Sequence, residues 1–154
     1  MDLPPFQQLL DAHGADVHRF CIAQAGPHHG PDCFQETVIS ALRAYPELRD
    51  QRNLRGWLFT IAHHKVLDHH RASGRRPLPV DALPERPADP DHGPDAALWL
   101  AVGRLPTKQR GAIALRYLGD LAYAEIAVAL DCSEGAARQN VRAGLAALRQ
   151  EVTV

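Results

Sequence analysis

The chain is poor in the residues that define several classes of protein, and each scarcity excludes something. Its three cysteines, Cys21, Cys33 and Cys132, are an odd number in three separate segments of 154 residues, which argues against a disulfide framework. No apolar run approaches the ~18 residues needed to cross a bilayer. Met1-Asp2-Leu3-Pro4-Pro5 lacks the basic stretch and apolar core of a signal peptide, so a cytoplasmic protein without membrane insertion is expected. There is no phosphate-cradling Gly-rich loop, no GxSxG and no paired-carboxylate pattern, so the chain is not expected to be an enzyme. Nine histidines include the pairs 28–29, 63–64 and 69–70, but CxxC and HxxxH spacings are missing. His63 and His70 lie roughly two helical turns apart, too far to share one ion without other ligands. No metal and no cofactor are expected.

Aromatics are only 6% while 45% of residues are apolar, with Ala and Leu abundant. Helix is therefore the expected element; strand-like alternation and internal repeats are not evident. Net charge is −1, but its distribution is uneven. Residues 1–40 carry one Arg against five acids, and 41–76 carry eight Lys/Arg against three acids with four histidines beside them. Residues 77–99 return to one Arg against five acids, and 100–154 carry seven Lys/Arg against five. An acidic front, a basic middle and a mildly basic end suggest surfaces for different partners, although solvated helix faces account for charge alone equally well.

Pro77, Pro79, Pro84, Pro87, Pro90 and Pro94 fall within eighteen residues, interleaved with acids. Repeated proline removes backbone donors, so 77–94 reads as an extended linker between two helical modules, 1–76 and 95–154. In the first module Phe6, Leu9, Leu10, His13, Val17 and Phe20 recur at helical spacing until Gly26-Pro27. A second helix is expected from Pro31-Asp32 to Ala44, with Cys33 or Phe34, Val38, Ala41 and Leu42 inward. A third is expected from Asn53 to Ala72, closed by Ser73-Gly74. It buries Leu54, Trp57, Leu58, Ile61 and Ala62, with Trp57 read as core rather than as a base-stacking platform. In the second module helices are expected at 95–104, 107–118, 123–130 and 134–151, with Thr107 capping the second of these.

Residues 120–149 carry the clearest chemistry. Ile126, Ala127 and Leu130 form the inner face of a short helix, Asp131-Cys132-Ser133 is a tight connection, and Ser133 suits an N-cap. The next helix turns Ala137, Val141, Gly144 or Leu145, and Leu148 inward. Small residues at Ala127 and Ala137 permit the close, steep crossing of a helix-turn-helix. Gly135 to Leu148 is then a recognition helix presenting Ala136, Arg138, Gln139 and Arg142 to duplex DNA. Arg pairs bidentately with guanine and Gln with adenine, while Ser133 at the helix start suits a phosphate. A generic amphipathic hairpin with solvated arginines is the plainer account.

Beyond these local readings, Leu105-Pro106, Gln109-Arg110, Leu115-Arg116-Tyr117, Tyr123, Glu125-Ile126-Ala127 and Cys132-Ser133-Glu134-Gly135 resemble region 4 of sigma-70-type factors. Asp32, Gln35-Glu36-Thr37 and NLRGWLFTIAHHKVLDHHR (Asn53 to Arg71) resemble region 2. Region 2, a proline-rich linker and region 4 in that order resemble the extracytoplasmic-function (ECF) group. The resemblance implies an all-α chain that binds core RNA polymerase and promoter DNA and directs transcription initiation. It implies docking on the clamp helices of the largest polymerase subunit through Asp32, Gln35 and Glu36, and contact with the flap of the second largest subunit. Region 2 would recognise and melt the −10 element through Arg52, Asn53, Arg55, His64, Lys65 and Arg71; region 4 would read the −35 element. An anti-sigma factor is a further candidate partner. His63-His64 replaces a usual Arg-Asn pair, Asn140 a frequently basic position, and Ala122 a usual capping Ser, for which Asp120 is expected to substitute. The competing reading is a helix-turn-helix repressor or activator that never binds polymerase.

Overall fold

In a computed structural model, residues 3–72 and 95–153 are described. The expected extended linker over 77–94 and the helix stop at Ser73-Gly74 lie outside them. Among the described residues the chain is all helix: α1 Phe6–Ala44, a 3-10 turn Tyr45–Glu47, α2 Leu54–Ala72, α3 Asp95–Gly103, α4 Thr107–Tyr117, α5 Tyr123–Leu130 and α6 Glu134–Thr153.

The expected break in the first module is a kink rather than a gap. Gly26 leaves helical geometry at φ 90, ψ 168, and the helix restarts at once, so Pro31 lies inside α1 instead of opening a new helix. The cause is Pro27, whose missing donor and fixed φ suit a first helical position four residues earlier than expected. Gly30 is pressed against Ile22 across the kink, where an added Cβ would come within 2.6 Å of the Ile22 Cα.

Beyond the kink α1 buries Cys33, Thr37 and Ala41, at steps of four. Thr37 donates its hydroxyl to the Cys33 carbonyl at 2.7 Å, which lets a polar residue sit in the core. Leu42, expected inside, is 55% exposed and Ile39 is 43% exposed, because the 33/37/41 stripe turns both outward. Phe20 and Phe59 meet edge to face at 5.3 Å, joining α1 to α2.

α2 buries Leu58 and Ala62, with Leu54, Trp57 and Ile61 partly covered. Trp57 stands 5.9 Å from the Tyr45 ring, a packing role as expected. Phe59, His63 and Val66 are buried as well, at i, i+4 and i+7. Of this second stripe, Phe59 lies against Gly119 and His63 against Gly111 of the 95–153 module, whose α4 and α5 pack on α2. One continuous core therefore joins both modules.

Two expected caps fall elsewhere. Pro106, not Thr107, precedes α4, which has no side-chain cap. Ala122 occupies the N-cap of α5, and Glu125 reaches back to accept the Ala122 N–H at 3.0 Å. Ala has no oxygen to complete the reciprocal bond. Asp120 does not substitute; it takes a left-handed conformation, φ 54, in the turn before α5.

Candidate nucleic-acid interface

α5 and α6 meet through a turn in which Asp131 adopts φ 55, ψ 52 and the Cys132 N–H donates to the Ala127 carbonyl at 3.0 Å. Asp tolerates this left-handed geometry better than most residues. Ser133 then caps α6, its Oγ accepting the Ala136 N–H at 3.0 Å. Ala127, Ala137, Val141, Gly144 and Leu148 face inward. Gly144 is required by close approach, since a Cβ there would lie 2.8 Å from Ile113 Cγ1.

This packing leaves Ser133, Arg138, Gln139 and Arg142 exposed at one end of α6, with Ala136 half-buried among them. Arg138 is held in place. Its guanidinium pairs with Glu134 at 2.7 Å and lies 5.2 Å from the Tyr123 ring centroid. Arg116 lies over the same ring at 4.6 Å and donates to the Leu121 carbonyl at 2.9 Å. Tyr123 and Glu134 thus fix the direction of the Arg138 side chain. The sequence marked Tyr123 only as a motif residue.

The −10 candidates are less free. Asn53 caps α2, its Oδ1 accepting the Gly56 N–H at 2.8 Å, while its Nδ2 donates to Glu125 of α5 at 2.7 Å. Arg55 pairs with Asp16 at 2.9 Å, donates to the Leu118 carbonyl and lies over the Phe59 ring. His64 donates Nε2 to the Ala129 carbonyl at 3.2 Å. Arg52 is exposed and bound to Asp50 at 2.9 Å. Hydrogen bonds from the Arg52 side chain and backbone pull the Asp50 carboxyl down to about 2. Arg71 is exposed beside Asp68, and Lys65 is half-buried. The structure thus spreads these six along α2 and turns three of them toward the other module. Asp32, Gln35 and Glu36 are all exposed on α1, on the side where Ile39 and Leu42 also emerge.

The sequence named His63 and Arg110 without marking either as buried. His63 is 1% exposed, and burial, reinforced by neighbouring His64 and Arg110, pushes its imidazole down to about 4. Arg110 of α4 is 2% exposed, and burial lowers it to about 10. Both His63 ring nitrogens and the Arg110 Nε lack a hydrogen-bond partner. The i, i+4, i+7 run Phe59, His63, Val66 was the available signal. Among the described residues no group of three or more His, Cys, Asp or Glu has metal-binding geometry, and no helix is long and apolar enough to cross a membrane.

An all-helical pair of modules with an exposed arginine-bearing recognition helix defines a helix-turn-helix DNA-binding protein. Residues 9–76 match sigma-70 region 2 and residues 95–148 match sigma-70 region 4. The ECF RNA polymerase sigma factor SigD of Mycobacterium tuberculosis is 34% identical, over 98% of this chain and 78% of that protein. The ECF sigma factor ShbA of Streptomyces griseus is 35% identical over 79% and 71%. The fold is shared with the sigma factor RpoE of Bartonella quintana, solved with the anti-sigma factor NepR, at TM-score 0.80 and 23% identity over 97% of both chains. It is also shared with CnrH, solved with the cytosolic domain of CnrY, at TM-score 0.71 and 23% identity over 96% and 87%. The chain belongs to the sigma-70 family, in its ECF group: it is an RNA polymerase sigma factor that directs transcription initiation, binding core polymerase and promoter DNA. The match to region 2 leaves the polymerase-independent repressor without support.

Proposed function

We propose a division of labour along the chain. Residues 95–154 read the −35 element as duplex, with Ser133 on a phosphate, Arg138, Gln139 and Arg142 on base edges and Ala136 in van der Waals contact. Residues 1–76 recognise and melt the −10 element with Arg52, Asn53, Arg55, His64, Lys65 and Arg71, which supply cations for phosphates and polar groups for unstacked bases. Asp32, Gln35 and Glu36 dock on the clamp helices of the largest polymerase subunit, and the second module touches the flap of the second largest. Residues 77–94 connect the two modules. The protein works in the cytoplasm, where its polymerase is, and an anti-sigma protein holds it off.

The observation that carries this reading is the exposed end of α6, where a capped helix start, Arg138, Gln139 and Arg142 lie together while the helix's other face is buried. Ile39 and Leu42, emerging beside Glu36, give the polymerase-docking side an apolar component. In vitro transcription tests the whole scheme. Purified chain added to core polymerase should start transcription at promoters mapped by in-cell occupancy, and changing either promoter element should abolish it. Specific starts that tolerate loss of the −35 element would remove α6 from the reading.

A further inference from the structure

The loop between the 3-10 turn and α2 is short, exposed at its tip and held at both ends. At its start the buried Tyr45 ring lies 5.3 Å from Phe6 and 5.9 Å from Trp57, and its hydroxyl donates to the Pro4 carbonyl. The Leu48 N–H donates to the Tyr45 carbonyl at 3.1 Å, and the half-buried Leu48 side chain packs on the core. At its end Asn53 accepts the Gly56 N–H at 2.8 Å and so fixes where α2 begins. A loop anchored in this way can aim a side chain that it carries.

That side chain is Arg52. It is 90% exposed, yet one edge of its guanidinium is engaged by the carboxylate of Asp50, two positions earlier. Nε donates to Oδ1 at 3.0 Å and Nη2 to Oδ2 at 2.9 Å, while the Arg52 backbone N–H donates to the same Oδ1 at 3.1 Å. Three bonds to one carboxylate set both the turn of the backbone and the plane of the guanidinium. The other edge, Nη1 with the second hydrogen of Nη2, then points away from Asp50, because the five donors of a guanidinium form a rigid fork. Other arginines of this module lack the arrangement. Arg71 meets Asp68 only at 3.8 Å, and Arg55 turns inward to Asp16 and the Leu118 carbonyl.

An acid beside a DNA-facing arginine offsets part of its attraction for phosphates. Phosphates lie at every nucleotide and need no fixed approach, so steering gains little there. A base edge is met at one place and in one plane. We propose that Asp50 is a positioning residue for base recognition: it turns the Nη1/Nη2 edge of Arg52 toward an unpaired −10 base with two adjacent acceptors, guanine at O6/N7 or cytosine at O2/N3. The target of Arg52 rests on the −10 assignment above; the steering by Asp50 does not.

The test uses holoenzyme assembled with the full chain and single-stranded −10 oligonucleotides in which each position is changed in turn to all four bases. Fluorescence anisotropy at fixed salt gives the preference at each position. The wild-type chain should prefer guanine or cytosine at one position, and Arg52→Lys, which retains the charge but has no fork, should lose that preference. Asp50→Ala should lower it roughly five- to fiftyfold at that position alone, the worth of one bidentate contact. Binding of a scrambled strand should stay level or tighten, because a negative charge has left the surface. Asp50→Asn keeps an acceptor for the Arg52 backbone N–H but sets a donor against Nη2, so its preference should fall with that of Asp50→Ala. The double variant Asp50→Ala/Arg52→Lys should lose no more than Arg52→Lys alone. An Asp50→Asn chain that discriminates as the wild type does would reduce Asp50 to a loop-shaping residue and overturn the proposal. Full preference in Asp50→Ala, or equal weakening of matched and scrambled strands, would overturn it too while leaving Arg52 in the −10 reading. Every preference intact in Arg52→Lys would overturn both.

Discussion

Arg138 emerges on the exposed side of α6 already steered, by Glu134 on its own helix and by the Tyr123 ring. An arginine held this way loses less side-chain freedom when it pairs with a base. Arg138→Ala and Arg142→Ala are each expected to weaken −35 duplex binding by about 1–3 kcal/mol if they contact bases. Fluorescence anisotropy at fixed salt measures this, and unchanged affinity in both would place them outside the interface. Tyr123→Leu should reproduce part of the Arg138 loss while Tyr123→Phe, which keeps the ring, should not. The thiols behave oppositely to such poised groups. Burial pushes Cys21 up to about 12 and Cys33 up to about 11, and neither becomes thiolate near neutrality. In the folded chain at pH 8, iodoacetamide should modify half-buried Cys132 and spare the other two, as read by intact mass.

At the scale of elements, the helix-turn-helix was legible because local chemistry fixes it. Ser133 as cap, the short Asp131-Cys132 turn and the 137/141/144/148 stripe all act within one or two helices. Ser133→Ala is expected to cost about 1 kcal/mol in thermal unfolding. Gly144→Val should cost more, about 1–3 kcal/mol, because Ile113 must move. What failed to show in the sequence involved partners far along the chain. Leu42 read as core because an apolar residue at helical spacing looks the same whether it faces a helix or a docking surface. His63 read only as one of a histidine pair and as the replacement of a usual Arg, because its cover, α4, lies more than 40 residues away. The −10 candidates were chosen by residue type, and no property of Asn53 or Arg55 taken alone reveals that Glu125 and Leu118 will occupy them. Caps at Thr107 and Asp120 misled because Pro106 and a left-handed turn decided those helix starts instead.

For the whole molecule, the buried imidazole makes the closed packing of α4 and α5 on α2 depend on pH, with a definite sign. Closed, His63 titrates near 4; opened to water it should return toward the ordinary 6.5. Above pH 6.5 it is neutral in both forms and does not affect the balance. As pH falls from 6.5 toward 4 the open form takes up a proton that the closed form refuses, and closure weakens by at most about tenfold per pH unit. Facing it are His64 on its own helix and Arg110 on α4, while α5 offers Leu130 and α1 reaches only the Arg110 carbonyl through Gln24. His70, lowered by burial and then by Arg110 of α4, acts in the same direction. His63→Leu should therefore flatten the pH response of the small-angle scattering radius without abolishing it. A response identical to wild type would mean that His63 stays buried when the modules part.

Reach sets the other limit on the molecule. A chain that closes on itself and also spans two promoter elements must carry a connection long enough for the second state, though the first needs far less. The 22 residues from 73 to 94 extend to about 75 Å, and removing ten leaves about 40 Å, comparable to the width of the closed body. Such a deletion is expected to retain the compact scattering radius and binding to core polymerase through the α1 surface proposed above, since neither depends on the modules standing far apart. It should lose transcription from promoters that require both elements. In vitro transcription on paired templates checks this, with the −35 to −10 distance at its normal length in one and shortened in the other. Full activity of the deletion on the normal template would show that the modules reach both elements without the connection being extended.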